Sequence, residues 1–479
     1  MNYRIILHTL GWVLNLEALA LALPLICAAV TGEQSYIPLF AVCMAICAVI
    51  GVSLTLRTPK NKTMYSKEGF VTVALAWIVM SVFGALPFVI SGFIPNFADA
   101  LFETVSGFST TGASILSDVE ALPKSLLFWR SFTHWIGGMG VLVFLVAILP
   151  LAGGDNLFLI KAESPGPSVS KLVPKVRTTA NILYKMYFVM TVIQVIFLLA
   201  GGLDLFSALT LSFGTAGTGG FSIKNSGIAD YSPYVQNVIT VFMILFGVDF
   251  SLYYMILLGK IKDVAKSDEL RTYIGIIVLA TAVIAFNCRG LFESTATTVR
   301  HAAFQVAAIT TTTGYSTVDF DKWPELAKTI LIVLTFTGAC AGSTAGGIKL
   351  SRIIILVKSI FKEIKTVSHP KSTHKIKMNG RVVDHDVIRA INVYMAAYAL
   401  IFVVSLLVIS FDERDFVTNF TAIATTLNNV GPGFGGVGPT CNFSDYSALS
   451  KVVMTIDMLI GRLEIFPILV LFSPYAWRK

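Results

Sequence analysis

Apolar residues in this chain come in long unbroken blocks, not in the alternating pattern of a half-buried strand or helix. Residues 36–56, 70–92, 131–152, 187–203, 272–287, 329–348 and 390–410 contain no Asp, Glu, Lys or Arg. Residues 13–31, 232–259 and 452–476 are similarly apolar, with isolated polar breaks. A helix of roughly 20 such residues crosses the hydrocarbon core, so the blocks predict about ten membrane spans. The first block carries Glu17, lacks a small-x-small cleavage site and runs at once into a second block. It reads as one arm of a retained two-helix hairpin, not as a cleaved signal peptide.

Composition supports a polytopic membrane protein. Of 479 residues, 55% are hydrophobic and 13% charged, with a mean hydropathy of +0.76. A soluble domain carries about 25% charged residues. This chain has too few to coat a water-facing surface, which argues against a soluble enzyme, a disordered chain or a nucleic-acid binder despite a net charge of +8. The basic residues cluster at Arg4, at 57–67, at 161–185, at 260–271, at 349–389 (ten of them) and at Arg478 and Lys479. The positive-inside rule makes these segments cytoplasmic, together with both termini. The six cysteines show no CxxC spacing. They read as small buried hydrophobes, with no disulfide and no metal site.

Spans then leave and return in pairs, joined on the outer side by residues 93–128, 202–232, 289–327 and 411–450. Each joining segment holds a short half-apolar helical stretch that runs into small residues: DALFETVSGFSTTGAS from Asp99, DLFSALTLSFGTAGTGGFS from Asp204, AAFQVAAITTTTGYST from Ala302 and DFVTNFTAIATTLNNVGPG from Asp415. Three begin at an Asp, a good N-cap. Their central glycines, Gly112, Gly219, Gly314 and Gly431, recur at spacings of 107, 95 and 117 residues, which suggests a fourfold repeat. Such a stretch is too short to cross a bilayer but can re-enter it. Non-helical backbone at membrane depth is tolerated where it is buried or lines a water-filled path. Four helix–Gly loops around one axis would give an oxygen-lined passage, with helix C-terminal dipoles favouring a cation. A single such stretch would be noise, since small residues also serve close helix packing. Four in matching positions favour the pore.

On these motifs the chain resembles the Trk/Ktr/HKT superfamily of cation transporters, TrkH type, over essentially its whole length. The motifs are STTGAS (109–114), GTGGFS (217–222), TTTGYST (311–317) and NNVGPG (428–433), with WRSFTHWIGGMGV (129–141), GACAGSTAGGIKLSR (338–352) and GRLEIF (461–466). The resemblance implies an all-α polytopic membrane protein: four fused helix–pore loop–helix repeats around a pseudo-fourfold pore, preceded by an N-terminal hairpin. The corresponding divisions are 1–66 for the hairpin, then 67–154, 155–262, 263–375 and 376–479 for the repeats. The family's potassium-binding filter maps onto Thr111 and Gly112, Thr218 and Gly219, Thr313 and Gly314, and Val430 and Gly431. Glycine at all four positions implies potassium, since plant relatives with Ser at the first resemble sodium carriers. Val430 departs from the Thr-Gly pattern.

Two features point to a gate. Gly338, Gly342, Ser343, Gly346 and Gly347 fall within ten residues, and Gly weakens a helix by about 1 kcal/mol per site relative to Ala. The segment reads as a broken helix with a flexible intramembrane loop, or as a close packing seam. In relatives such a loop lies under the filter. Arg462 sits in the last apolar block beside Asp457 and Glu464. An ionisable residue inside a span is expensive and marks a gate or a buried ion pair. Asp249 reads as a turn or pair former. Glu17 and His134 read as satisfied between helices.

The basic segment 349–389 could meet anionic lipid, set topology or dock a partner. The resemblance implies a homodimer on a cytoplasmic TrkA-like nucleotide-binding ring. The chain holds no dinucleotide fingerprint, P-loop, nucleophile elbow or HExxH motif. It reads as a non-enzyme whose only ligand is transported potassium. The expectation is channel-like uptake across the bacterial inner membrane, since the loops fall on one side as parallel repeats. The alternative is a KtrB-type sodium-dependent or proton-coupled symporter.

Overall fold

The computed structural model describes residues 1–56, 58–59, 64–140, 176–369 and 374–477. Among them six helices are long and apolar enough to cross a bilayer: Tyr3–Thr31, Gln34–Thr55, Ser66–Ser91, Thr178–Ala200, Asp268–Asn287 and His385–Asp412. The count falls short of ten because other apolar blocks are interrupted. Pro233–Phe246 and Phe250–Leu257 meet at 89°. Asp249 ends that turn by accepting from Ser251 N at 2.8 Å. Glu325–Thr337 stops at Gly338, and helix resumes only at Leu350. Ala448–Arg462 and Phe466–Phe472 are parted by Glu464 and Ile465, both at positive φ. The remaining block follows Lys124–Gly138 and passes beyond residue 140, outside the described residues. So do the basic positions Arg57, Lys60, Lys62, Lys161, Lys171, Lys175, Arg478 and Lys479.

Between the spanning elements lie four short helices, Phe97–Phe108, Leu205–Ala216, Thr295–Thr310 and Phe416–Leu427, here the first to fourth pore helices. Each is capped by a side-chain oxygen that satisfies a free N–H of the first turn. The caps are Asn96, Asp204, Ser294 and Asp415. Two caps therefore differ from the sequence expectation. Asp99 lies inside the first turn, where it pairs with Lys451 at 2.7 Å. The third pore helix starts seven residues before Ala302.

The packing closes into a ring. The second, third and fourth pore helices pack on the helix that follows the preceding pore helix, and the first packs on Ala448–Arg462 at the far end of the chain. Glycine allows backbone contact at these seams. A Cβ on Gly137 would fall 1.8 Å from Phe108 O, and one on Gly461 would fall 2.1 Å from Leu427 O. The N-terminal helices pack on Ser66–Gly84 and Lys124–Gly138. Glu17 there is not satisfied as expected. It is buried, and neither carboxylate oxygen has a hydrogen-bond partner among the described residues.

A Gly137→Ala substitution is expected to destabilise the protein by about 1–3 kcal/mol through overpacking against backbone. Gly275→Ala, on an open helix face with nothing within 4 Å of the added carbon, should leave stability unchanged or raise it by about 1 kcal/mol. Thermal melts of the two detergent-purified variants check the contrast.

Candidate ion pore and its inner closure

All four pore helices end in one backbone pattern. The N–H of Thr111 bonds Ser106 O at 2.9 Å; those of Gly219, Thr313 and Val430 bond Gly214, Ala308 and Thr425 O, each at 2.8 Å. These are six-to-one closures of the Schellman type. The residue before each is left-handed: Thr110 (φ 57°), Thr218 (φ 55°), Thr312 (φ 56°) and Asn429 (φ 56°). The residue after each is a left-handed glycine: Gly112 (φ 79°), Gly220 (φ 79°), Gly314 (φ 76°) and Gly431 (φ 96°). A β-branched Thr at positive φ is a genuine outlier, and strain of this kind gathers at functional sites.

This phase corrects one expected dyad. In the second loop Gly219 stands where Thr111, Thr313 and Val430 stand, and Gly220 is the counterpart of Gly112, Gly314 and Gly431. Thr218 matches Thr110 instead. The run Thr-Gly-Gly offers two registers, and the Thr-Gly dipeptide points to the wrong one. A side chain at 219 has no room, because its Cβ would lie 2.3 Å from the His134 ring. His134 is satisfied as expected, with Nδ1 2.7 Å from Gly107 O and Nε2 accepting from Phe221 N at 3.2 Å.

The loops meet in cyclic order. A Cβ on Gly112 would lie 2.1 Å from Gly219 O, and one on Gly220 would lie 1.8 Å from Thr313 O. One on Gly314 would lie 2.0 Å from Val430 O, and one on Gly431 would lie 2.7 Å from Thr111 O. Each glycine thus admits the carbonyl of the next loop, and the fourth loop closes on the first. Thr111, Gly219, Thr313 and Val430 are buried. Among the described residues none of these four carbonyl oxygens, nor those of the four glycines, accepts a hydrogen bond. Buried carbonyls are normally paired, so a ring of orphans calls for another electropositive partner.

On the side of the helix C-termini the ring is covered by residues 338–349. Gly338, Gly342 and Gly347 take positive φ, as does Lys349. The segment is therefore a broken helix, as one of the two sequence readings held. Cys340 N bonds Gly247 O at 3.1 Å, Phe250 N bonds Gly342 O at 3.1 Å, and Gly346 N bonds Thr312 Oγ1 at 2.7 Å. Ser343 is buried and donates to Cys340 O at 2.6 Å. Arg462 donates to Thr344 O and to Gly138 O, both at 2.8 Å, and to Gly137 O. It thus ties the loop to the end of the helix Lys124–Gly138. Glu269 was not anticipated from the sequence. Its Oε1 accepts from Ala341 N at 2.8 Å and Ser351 N at 3.1 Å, which clasps the loop near both ends. Arg352 pairs with Glu464, and Lys349 donates to Ala345 O. A cavity of about 950 Å³ adjoins the loop, lined by Asp249, Gly346, Lys349, Arg462 and residues 378–382 of a short β-hairpin in which Lys377–Met378 pairs with Arg381–Val382.

The ring of unpaired carbonyls thus lies inside a mainly helical membrane chain, the class of protein to which a cation transporter belongs. Residues 37–478 match the TrkH family, described as a cation transport protein, and the chain belongs to that family. It is 36% identical over 492 residues to the Trk system potassium uptake protein TrkH of Escherichia coli K12, with both chains fully covered. The Vibrio parahaemolyticus protein of the same name is 34% identical over 489 residues, again with both fully covered. The crystal structure of the potassium transporter TrkH from Vibrio parahaemolyticus superposes with a TM-score of 0.89 at 32% identity, covering all of both chains.

The register yields a test by double-mutant cycle. Gly219→Ala and His134→Ala should couple by about 1 kcal/mol or more, because they share one volume. Gly220→Ala should show little coupling to His134→Ala, because its obstacles are the Thr313 carbonyl and the left-handed angle. Thermal unfolding of the single and double variants measures both terms.

Proposed function

We propose that this protein carries potassium into the cell through the four-loop ring, with the carbonyls of Thr111, Gly219, Thr313 and Val430 and of Gly112, Gly220, Gly314 and Gly431 replacing the ion's water. The observation that carries this reading is the closed ring of buried carbonyls without donors. The match to proteins named for potassium uptake supports the choice of ion. Four pore-helix C-termini facing the ring add favourable partial negative charge. Val430 takes its place through its backbone alone, so no hydroxyl is required there.

Potassium moves inward down the membrane field, which is worth about 2.3 kcal/mol per charge at 100 mV. No hydrolytic or catalytic step is needed. Repeats with pore loops on one side favour a channel-like path over alternating access. Residues 338–349 and Arg462 form the gate. They cover the ring's inner side, and a fixed charge about 10 Å from a passing cation costs roughly 1.7 kcal/mol at an effective dielectric constant of 20. The basic segments favour a cytoplasmic position for both termini and the 377–382 hairpin. The name "Trk system" carried by the relatives supports further components, here a homodimer on a TrkA-like nucleotide-binding ring that biases the gate.

Expression at low external potassium should rescue a bacterium that lacks potassium uptake. Gly112→Ser should lower potassium-over-sodium discrimination, and failure of rescue with correctly inserted protein would sink the reading. In proteoliposomes Arg462→Ala should raise potassium flux by about tenfold, the order expected from removal of one charge at that range, and a shortened 338–347 loop should also raise it. Unchanged or lower flux with normal folding would count against the gate.

A further inference from the structure

The four loops do not hold their shape by the same means. In the first and third a hydroxyl pair braces the loop: Ser109 with Thr111 at 2.7 Å and Thr311 with Thr313 at 2.8 Å. In the fourth, Asn429 Nδ2 donates to Thr111 Oγ1 and to Met458 O, each at 2.9 Å. The second loop has Gly219 followed by Gly220, with no side chain at either position and the greatest backbone freedom. Its support comes from the helix Lys124–Gly138, which presents Arg130 and His134 one turn apart. His134 takes the Phe221 N–H. Arg130 Nη1 donates to Ser222 O at 2.9 Å, and its guanidinium lies 3.5 Å from the centre of the Phe221 ring.

Arg130 is held in turn from the first loop. Its Nε meets Glu103 Oε1 at 2.6 Å, and both side chains are buried. Glu103 sits on the first pore helix and also accepts from Ser114 Oγ at 3.0 Å and Ile115 N at 3.0 Å, just past Gly112. One carboxylate and one guanidinium thus link the outer end of the first loop to the outer end of the second. Counting from the four aligned glycines, the positions matching Glu103 are Leu211, Gln305 and Ala422. Among the described residues the charged link therefore occurs once in the ring, at the junction where Gly112 meets Gly219 O.

We propose that Glu103 and Arg130 are positioning residues for ion selection: their buried pair fixes the separation of the first and second loops, and with it the coordination distances at that side of the ring. This rests on the reading of the ring as the filter. Burying two charges is tolerated because they pair with each other and each has a further hydrogen bond, Glu103 with Ser114 and Ile115 and Arg130 with Ser222; the planar fork of Arg reaches two partners at a fixed angle where Lys cannot. Neither residue touches the ion, so the pair acts through geometry. A loosened junction would let the loops close on the smaller sodium ion.

The experiment measures the potassium-to-sodium permeability ratio from reversal potentials of purified, reconstituted protein, a property of each pore that does not depend on how much protein folds. Arg130→Lys and Glu103→Asp conserve the charges while removing the fork or retracting the carboxylate. Each should lower the ratio by about tenfold, the factor that one charge-assisted hydrogen bond is worth. Gly112→Ser serves as the reference. If it lowers the ratio while both brace variants keep the wild-type value, the brace is wrong and the filter stands. If Gly112→Ser also leaves the ratio unchanged, the filter reading fails and the brace with it. Where a charge-conserving variant does not fold, the double variant Glu103→Gln with Arg130→Gln, which leaves no unpaired charge, carries the same expectation.

Discussion

Carbonyl oxygens crowded together without donors repel one another, and this repulsion is the constraint that the rest of the molecule is built to bear. Thr111, Gly219, Thr313 and Val430 stand with their backbone oxygens against the neighbouring loop's glycine. In an apolar setting each unpaired carbonyl costs free energy comparable to a lost hydrogen bond. On the proposed reading a monovalent cation on the axis would relieve that cost, and a frame must keep the oxygens in place between ions. The side-chain caps, the six-to-one closures and the helices that wedge behind each pore helix supply the frame. The left-handed threonines are the visible strain, stored where the backbone has to turn its oxygens at close quarters.

The closure on the inner side uses the opposite chemistry. Around the ring, oxygens lack donors; at residues 338–349, charged side chains seek carbonyls. Arg462 reaches the oxygens of Thr344, Gly137 and Gly138, and Lys349 caps Ala345 O. A charged group is costly inside a membrane unless it is bonded in this way. The glycines in the loop let the backbone offer its carbonyls at angles no helix provides. Glu269 holds the two ends together by accepting from Ala341 N and Ser351 N.

Much of this was legible in the sequence because its causes are local. Apolar blocks mark spans by length, and small-residue runs after half-apolar stretches mark the four loops. The glycine cluster at 338–347 breaks its helix for reasons of propensity alone. The less legible parts depend on contacts between distant residues. Gly219 and Gly220 are equivalent by composition, and only the His134 ring, from another helix, decides between them. Asn96 and Ser294 lie ahead of the half-apolar stretches that mark their helices, so the pattern does not single them out as caps. Glu103 and Arg130 left a signal that could have been read, an acid and a base in neighbouring membrane-embedded helices. Their partnership, like the clasp of Glu269 across the chain from Ala341, becomes visible only in three dimensions.

The ring is written in one polypeptide, and its quadrants are chemically unequal: Gly-Gly in one, Val-Gly in another, Thr-Gly in two. In an assembly of four identical subunits a substitution would strike every side of the axis at once, multiplying its effect fourfold. Here mutation perturbs a single side and leaves three as they were. The passage can therefore be retuned gradually, and a relative could exchange one loop's chemistry for another ion preference while the remaining three keep the pathway intact.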